Sequence, residues 1–205
     1  MVRLGILISG RGSNLLAIGQ AIRDRRLSGA EISVVLSNRE DATGVMAARE
    51  LGIPVEVVLS KGRERVEHDA QLIALLRRYS VDLVCLAGYM RLLSPSFIQA
   101  FPEKILNIHP SLLPAFPGLE AQQQALQYGA KITGCTVHFV DEHLDHGVIV
   151  AQRTVSVEDD ETVSTLSARI LEQEHIAYSE AIERVIGGQY EIHGRTYRRR
   201  STEVT

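Results

Sequence analysis

Short apolar runs alternate with segments of helical period through the first half of the chain, and this rhythm restricts the fold more than any other feature. Residues 4–8 are too short an apolar run to span a bilayer and end in Gly-Arg-Gly-Ser, so they read as a first strand. A helix is predicted over 13–27, a strand over 32–36, and a helix over 43–51 closed by Gly52 and Pro54. A strand over 55–59 precedes a helix over 64–79, with Ala70, Ile73, Ala74 and Leu76 on or near one face. The run 81–87 is the most apolar of all, which places it centrally in the sheet. A βαβαβαβ order demands parallel strands, because each return to the same edge needs a crossover. The expected class is α/β: a Rossmann-like, mostly parallel twisted sheet with helices on both faces.

After His109 the pattern changes. Residues 134–140 and 148–157 read as longer strands, an antiparallel addition in the C-terminal half. A long helix is predicted over 162–186, started by an Asp160/Thr162 cap and ended by Gly187-Gly188, and the tail over 190–200 reads as a hairpin turning at His193-Gly194. The triplet Arg198-Arg199-Arg200 reads as a solvated end. A length of 205 residues suits one domain with a sizeable core, divided at about residue 100 and with a short tail from 190 to 205. At 45% hydrophobic and 23% charged, the composition excludes disorder, and a net charge of -3 offers no field to attract nucleic acid. No membrane partner is expected either. Cys85 and Cys135 lie in apolar runs without disulfide or zinc spacing, so they read as buried thiols, and a cytoplasmic location follows by default.

Candidate chemistry centres on Leu106-Asn107-Ile108-His109-Pro110-Ser111-Leu112-Leu113-Pro114. If the apolar segment from Lys104 is a strand, alternation points Asn107 and His109 the same way, and the prolines keep the following loop from becoming helical. A second loop, Asp141-Glu142-His143-Leu144-Asp145-His146-Gly147, supplies a carboxylate, Asp145, to orient the imidazole. A carboxylate favours the cationic form of its histidine partner, and an amide N–H is suited to hold a developing oxyanion. No serine or cysteine sits in an elbow motif, so direct acyl transfer fits better than an acyl-enzyme. Singly, each residue also fits a structural role as a turn former or core histidine. His138, His143 and His146, with Asp141 and Asp145 between them, match no standard ligand spacing, so no metal is expected.

Ser9-Gly10-Arg11-Gly12-Ser13-Asn14 joins the first strand to the first helix. Its glycines permit a tight turn, and exposed N–H groups at a helix start suit a phosphate. Leu15 replaces the third glycine of the dinucleotide fingerprint, and Ser37-Asn38-Arg39 offers no acid for a ribose. A small phosphate ester is the better fit, although the loop also fits a plain turn and cap.

At these residues the chain resembles the folate-dependent formyltransferases. The likeness runs from Ile6 to about Gly188 and includes Ile8-Ser9-Gly10-Arg11-Gly12-Ser13-Asn14, Ser37-Asn38, Ala87-Gly88-Tyr89-Met90-Arg91-Leu92-Leu93-Ser94, the 106–114 motif, Thr136-Val137-His138-Phe139-Val140 and Gln173-Glu174-His175. It implies transfer of the formyl group of 10-formyltetrahydrofolate to the amine of 5-phosphoribosylglycinamide, in purine biosynthesis, with two small-molecule substrates and no metal. It implies His109 as general acid, Asn107 on the formyl oxygen, and Asp145 paired with His109. The phosphate would sit on Gly12, Ser13 and Asn14, with Glu174 on the ribose. Arg65 and Met90, Arg91, Leu92 and Leu93 would line the folate pocket with Asn107, Arg63 being the alternative to Arg65. Phosphate binding is thus expected in residues 1–100, and folate binding and catalysis in 101–190. Glu120, Val148 and Leu171 depart from the family pattern, at positions where relatives carry a histidine, a proline and often a polar residue. The regulatory and basic extensions of hydrolysing and tRNA-formylating relatives have no counterpart in the sequence. A monomer and a homodimer both fit.

Overall fold

The computed structural model describes residues 1–200. Its strands form one 9-stranded sheet: β1 (Val2–Ile8), β2 (Ala30–Ser37), β3 (Val55–Val57), β4 (Leu83–Leu86), β5 (Ile105–His109), β6 (Ile132–Phe139), β7 (Ile149–Ser156), β8 (Tyr190–His193) and β9 (Thr196–Arg199). The order is β3-β2-β1-β4-β5-β6-β7-β9-β8. The first five strands are parallel, β6 runs antiparallel between β5 and β7, and β8–β9 is a hairpin joined to β7 through Ile149 and Thr196. The mostly parallel sheet with an antiparallel C-terminal part is the architecture expected from the apolar rhythm.

Six helices cover it: α1 (Ser13–Arg23), α2 (Thr43–Glu50), α3 (Arg65–Arg78), α4 (Pro95–Ala100), α5 (Ala121–Tyr128) and α6 (Val163–Ile186). Alternation along β1 sends Leu4, Ile6 and Ile8 into a core with α1, α2 and α6, and Leu7 into a second core with α3 and α4. Gly5 is where α3 comes closest, since a Cβ there would lie 2.6 Å from the Leu76 side chain. Thr162 starts α6 with a reciprocal capping box to Thr165.

Several expectations are corrected. The strand predicted over 55–59 ends at Val57, and that over 81–87 is confined to Leu83–Leu86. The buried face of α3 carries His68, Asp69, Leu72 and Leu76, whereas Ala70 and Ala74 are exposed. His68 and Asp69 go inside because each has a partner there. His68 Nε2 donates to the Val58 carbonyl at 2.8 Å, and Asp69 accepts the Ser94 backbone N–H at 2.6 Å. The short helices α4 and α5 are absent from the sequence reading. Ser94 caps α4 ahead of Pro95, a signal present in the sequence. Glu120 opens α5 in the left-handed region at φ 56, which no local rule announces.

Candidate active site

The order in which strands are added switches sides between the parallel neighbours β1 and β4, so the crevice beyond their carboxyl ends is where a ligand fits an open α/β sheet. Three loops leave from this edge, after β1, β4 and β5. Those after β1 and β4 are tied together: Ser9 N–H donates to the Gly88 carbonyl at 3.1 Å, and Met90 N–H to Ser9 Oγ at 2.8 Å. Ser9 Oγ in turn donates to Asn38 Oδ1 at 2.7 Å.

Gly12 caps α1 in the left-handed region at φ 72, packed so closely on Gly44 that a Cβ would meet its Cα at 2.9 Å. No side chain caps this helix, so the first N–H groups of α1, from Ser13 onward, are open to an anion. Asn14 Nδ2 donates to Glu174 Oε2 at 2.8 Å, joining α1 to α6, while buried Asn14 Oδ1 has no partner among the described residues. Burial pushes the Glu174 carboxyl above its ordinary value, opposed by the Asn14 bond.

On β5 and β6, Asn107 lies opposite His138 and His109 opposite Thr136, on the face opposite to Leu106, Ile108, Cys135 and Val137. Thr136 holds the following loop: its hydroxyl donates to the Ser111 carbonyl at 2.6 Å and accepts the Leu113 N–H at 3.0 Å. Buried His109 has Nδ1 3.4 Å from Asp145 Oδ2, the side chains being 6% and 7% exposed. Its Nε2 donates to the Phe116 carbonyl at 2.8 Å. Phe116, at φ 53, adopts a backbone conformation that bulky residues avoid, a local strain of the kind found at functional sites. Asp145, itself at φ 49, accepts the Gly118 N–H at 2.8 Å. The imidazole is thus held between a carboxylate and a carbonyl.

His138 was weighed in the sequence only as a metal ligand, and its place here is different. Its Nδ1 donates to the Phe139 carbonyl at 2.8 Å, which leaves Nε2 as an acceptor. Asn107 Nδ2 donates to that Nε2 at 3.3 Å, so one amide hydrogen is anchored and the other is available to a ligand. Burial lowers the His138 pKa, more than the Phe139 bond and the Asp145 charge raise it, and so keeps the ring neutral for this task. The polar alternation Thr136, His138 within an apolar strand is the sequence signal that marks it.

The residues that the resemblance assigns to a folate pocket surround the loop after β4. Met90 and Leu92 are exposed, Leu93 is half-buried, and a cleft of 760 Å³ opens between Met90, Leu59, Ser60 and Asn38. Arg91 is turned inward, donating to the Ser60 and Arg63 carbonyls at 2.8 Å each, so it braces the 60–63 turn. Arg63 is engaged by Gln71 at 2.6 Å, while Arg65 stands exposed at the first position of α3.

The family model for formyl transferase matches residues 2–182. The chain belongs to the formyl transferase family. It is 39% identical to the phosphoribosylglycinamide formyltransferase of Escherichia coli K12, over 92% of this chain and 89% of that one. It is 44% identical to the human trifunctional purine biosynthetic protein adenosine-3 over 93% of this chain, and spans 19% of that protein's length. Among solved structures, glycinamide ribonucleotide transformylase 1 from Symbiobacterium toebii superimposes with a TM-score of 0.95 at 48% identity, covering 98% of this chain and 95% of that one. Asn107 and His109 share one face of β5, with Asp145 beside His109, and among the described residues no helix is long and apolar enough to cross a membrane.

Proposed function

We propose that this chain transfers the formyl group of 10-formyltetrahydrofolate to the amine of 5-phosphoribosylglycinamide, a step of purine biosynthesis. The observation that carries the reading is the buried pair of His109 and Asp145 at 3.4 Å, with His109 on the strand that also presents Asn107. A phosphate loop at the same sheet edge and the exposed apolar side chains of Met90 and Leu92 supply places for the two substrates.

In this reading the amine nitrogen forms a bond to the formyl carbon, whose carbonyl electrons move onto oxygen. The free Asn107 N–H holds that oxyanion. The electrons on oxygen then re-form the carbonyl as the bond from carbon to the folate nitrogen breaks, and the nitrogen takes a proton from His109. The amine gives up a proton to the imidazole, so the histidine is restored and nothing is oxidised or reduced. His109 Nε2 passes its hydrogen bond from the Phe116 carbonyl to the folate nitrogen, while Asp145 stabilises the cationic ring. Gly12, Ser13 and Asn14 receive the phosphate, Glu174 accepts hydrogen bonds from the ribose, and Arg65, rather than Arg63, pairs with the folate carboxylates.

Formyl transfer from 10-formyl-dideazafolate is the direct test. Wild type requires the phosphoribosyl amine, and His109→Ala and Asp145→Asn each lower kcat by roughly 10²–10⁴-fold. Consumption of the formyl donor without the amine identifies a hydrolase instead. Full activity in both variants refutes the assigned roles.

A further inference from the structure

The loop that carries Asp145 also carries three side chains that formyl transfer leaves unused. Asp141, His143 and His146 stand at i, i+2 and i+5, which is why linear spacing announces no metal. Between β6 and β7, however, the chain doubles back, and one ligand atom of each residue lies within 4.8 Å of the other two. Asp141 is the hub: Oδ2 is 2.9 Å from His146 Nδ1, and Oδ1 is 3.9 Å from His143 Nδ1. The two imidazoles meet as a tilted pair, with ring centroids 5.1 Å apart. The base of the loop is tightly held, since a Cβ on Gly147 would lie 1.7 Å from the Phe139 carbonyl oxygen. Its start is held by the His143 backbone N–H, which donates to Asp141 Oδ1 at 2.9 Å.

We propose that Asp141, His143 and His146 form a surface site for one divalent transition-metal ion, with zinc(II) as its probe. Two imidazoles and a carboxylate are a donor set that zinc accepts in open three-ligand sites, with solvent in the fourth position. Metal–ligand bonds of about 2.0–2.2 Å separate tetrahedral ligand atoms by about 3.3 Å. The present atoms therefore reach a common ion by rotation of side chains, and both imidazoles lie at the surface: His143 is 77% exposed and His146 52%. Partial burial raises the Asp141 pKa, but the His146 bond and the His143 N–H outweigh it, so the carboxylate is held below its ordinary value and is ready as an anion.

Zinc takes the place of the hydrogen now shared between His146 Nδ1 and Asp141 Oδ2, and the neutral ring carries its hydrogen on Nε2 instead. Neighbouring charge acts both ways. Glu142 and Asp145 add negative charge along the loop. Arg195 opposes it: one guanidinium nitrogen lies 3.3 and 3.1 Å from the two ring nitrogens of His146, and the other donates to the His146 carbonyl at 2.6 Å. Removing that cation therefore tightens the site. None of the three ligands has a role in formyl transfer, so the site stands whether or not that reaction is correctly assigned. Because Asp145 lies between His143 and His146, an ion here fastens the segment that orients His109.

The test is isothermal titration of the full chain with zinc chloride at neutral pH in a weakly coordinating buffer. Wild type is expected to take up a single ion. His143→Ala and His146→Ala, both exposed and tolerant of truncation, each weaken binding by at least about tenfold. Arg195→Ala tightens it, and His193→Ala, on the neighbouring hairpin, leaves it unchanged. Zinc also raises the Tm of wild type and not of His143→Ala, since only a ligand bound to the folded state stabilises it. Absence of saturable binding, equal affinity in the two ligand variants, loss through His193→Ala, or no tightening in Arg195→Ala overturns the proposal.

Discussion

The turn after β1 positions its ligand groups with backbone geometry, whereas the turns after β5 and β6 do so with buried titratable side chains. At the first, Gly12 and Gly44 touch, α1 presents N–H groups without a side-chain cap, and the one arginine of the loop, Arg11, is exposed. At the second, His109, His138 and Asp145 are each almost wholly buried, and every ring nitrogen faces a carbonyl, a carboxylate or an amide. On the proposed function, the difference follows from what each end has to do. A phosphate keeps its charge throughout, so stationary dipoles suffice. A proton that moves needs groups whose protonation the surroundings adjust.

The sharpest way to break this comparison is to add a methyl group to a glycine at each end. Gly147→Ala puts a Cβ 1.7 Å from the Phe139 carbonyl oxygen, where only the backbone can give way, so stability falls by about 4 kcal/mol or more. Gly12→Ala combines φ 72 with a contact at 2.9 Å and costs about 1–3 kcal/mol. Urea denaturation measures both, and a larger loss at Gly12 reverses the ranking.

His138→Asn sharpens it next. The substitution frees Asn107 from its anchor and lowers kcat roughly tenfold, less than the 10²–10³-fold expected for removing an oxyanion donor outright. It also changes the pH dependence. The folded ring is held below its ordinary 6.5, so on acidification through that value the unfolded chain takes up a proton that the folded chain does not. Stability therefore drops as pH falls through 6.5 towards the folded value, and that part of the slope disappears in the variant. Parallel slopes in wild type and variant would show that the imidazole is not kept neutral.

The smallest effect belongs to Glu174→Gln. A glutamine oxygen still accepts from Asn14, but the buried negative charge is gone. The folded carboxyl lies above its ordinary 4.5, so ionising it costs stability above the folded value, and the cost fades as pH falls to 4.5. The variant is accordingly more stable near neutral pH, by about 0.5–1 kcal/mol after its weaker bond to Asn14 is counted. In the transfer assay, KM for the phosphoribosyl amine rises about tenfold with kcat unchanged. A loss of stability at neutral pH would contradict the burial argument.

Sequence patterns foresaw the parallel half of the sheet well, because period-2 and period-3.6 burial is a local property of β1, α1, β2 and α2. They misjudged α3, since His68 and Asp69 are buried through partners 10 and 25 residues away. For the candidate site, Asn107 and His109 share a face by alternation alone, and their spacing was readable. His138 was not, because its role depends on β6 lying antiparallel to β5 in a register that sets it opposite Asn107. Arg91 was assigned to a pocket by likeness, yet two carbonyls of the 60–63 turn hold its guanidinium.

The chain's own order of residues determined the α/β class, the helix-capping glycine turn after β1 and the residue types available for proton transfer. Each of these rests on neighbours a few positions apart, whose sterics and periodicity act before any tertiary contact forms. The tertiary structure alone decided which histidine anchors Asn107 and how Asp141, His143 and His146 converge. The first joins strands far apart in sequence and the second needs a loop that doubles back, and electrostatic and hydrogen-bond energies depend on distance and burial that only packing supplies.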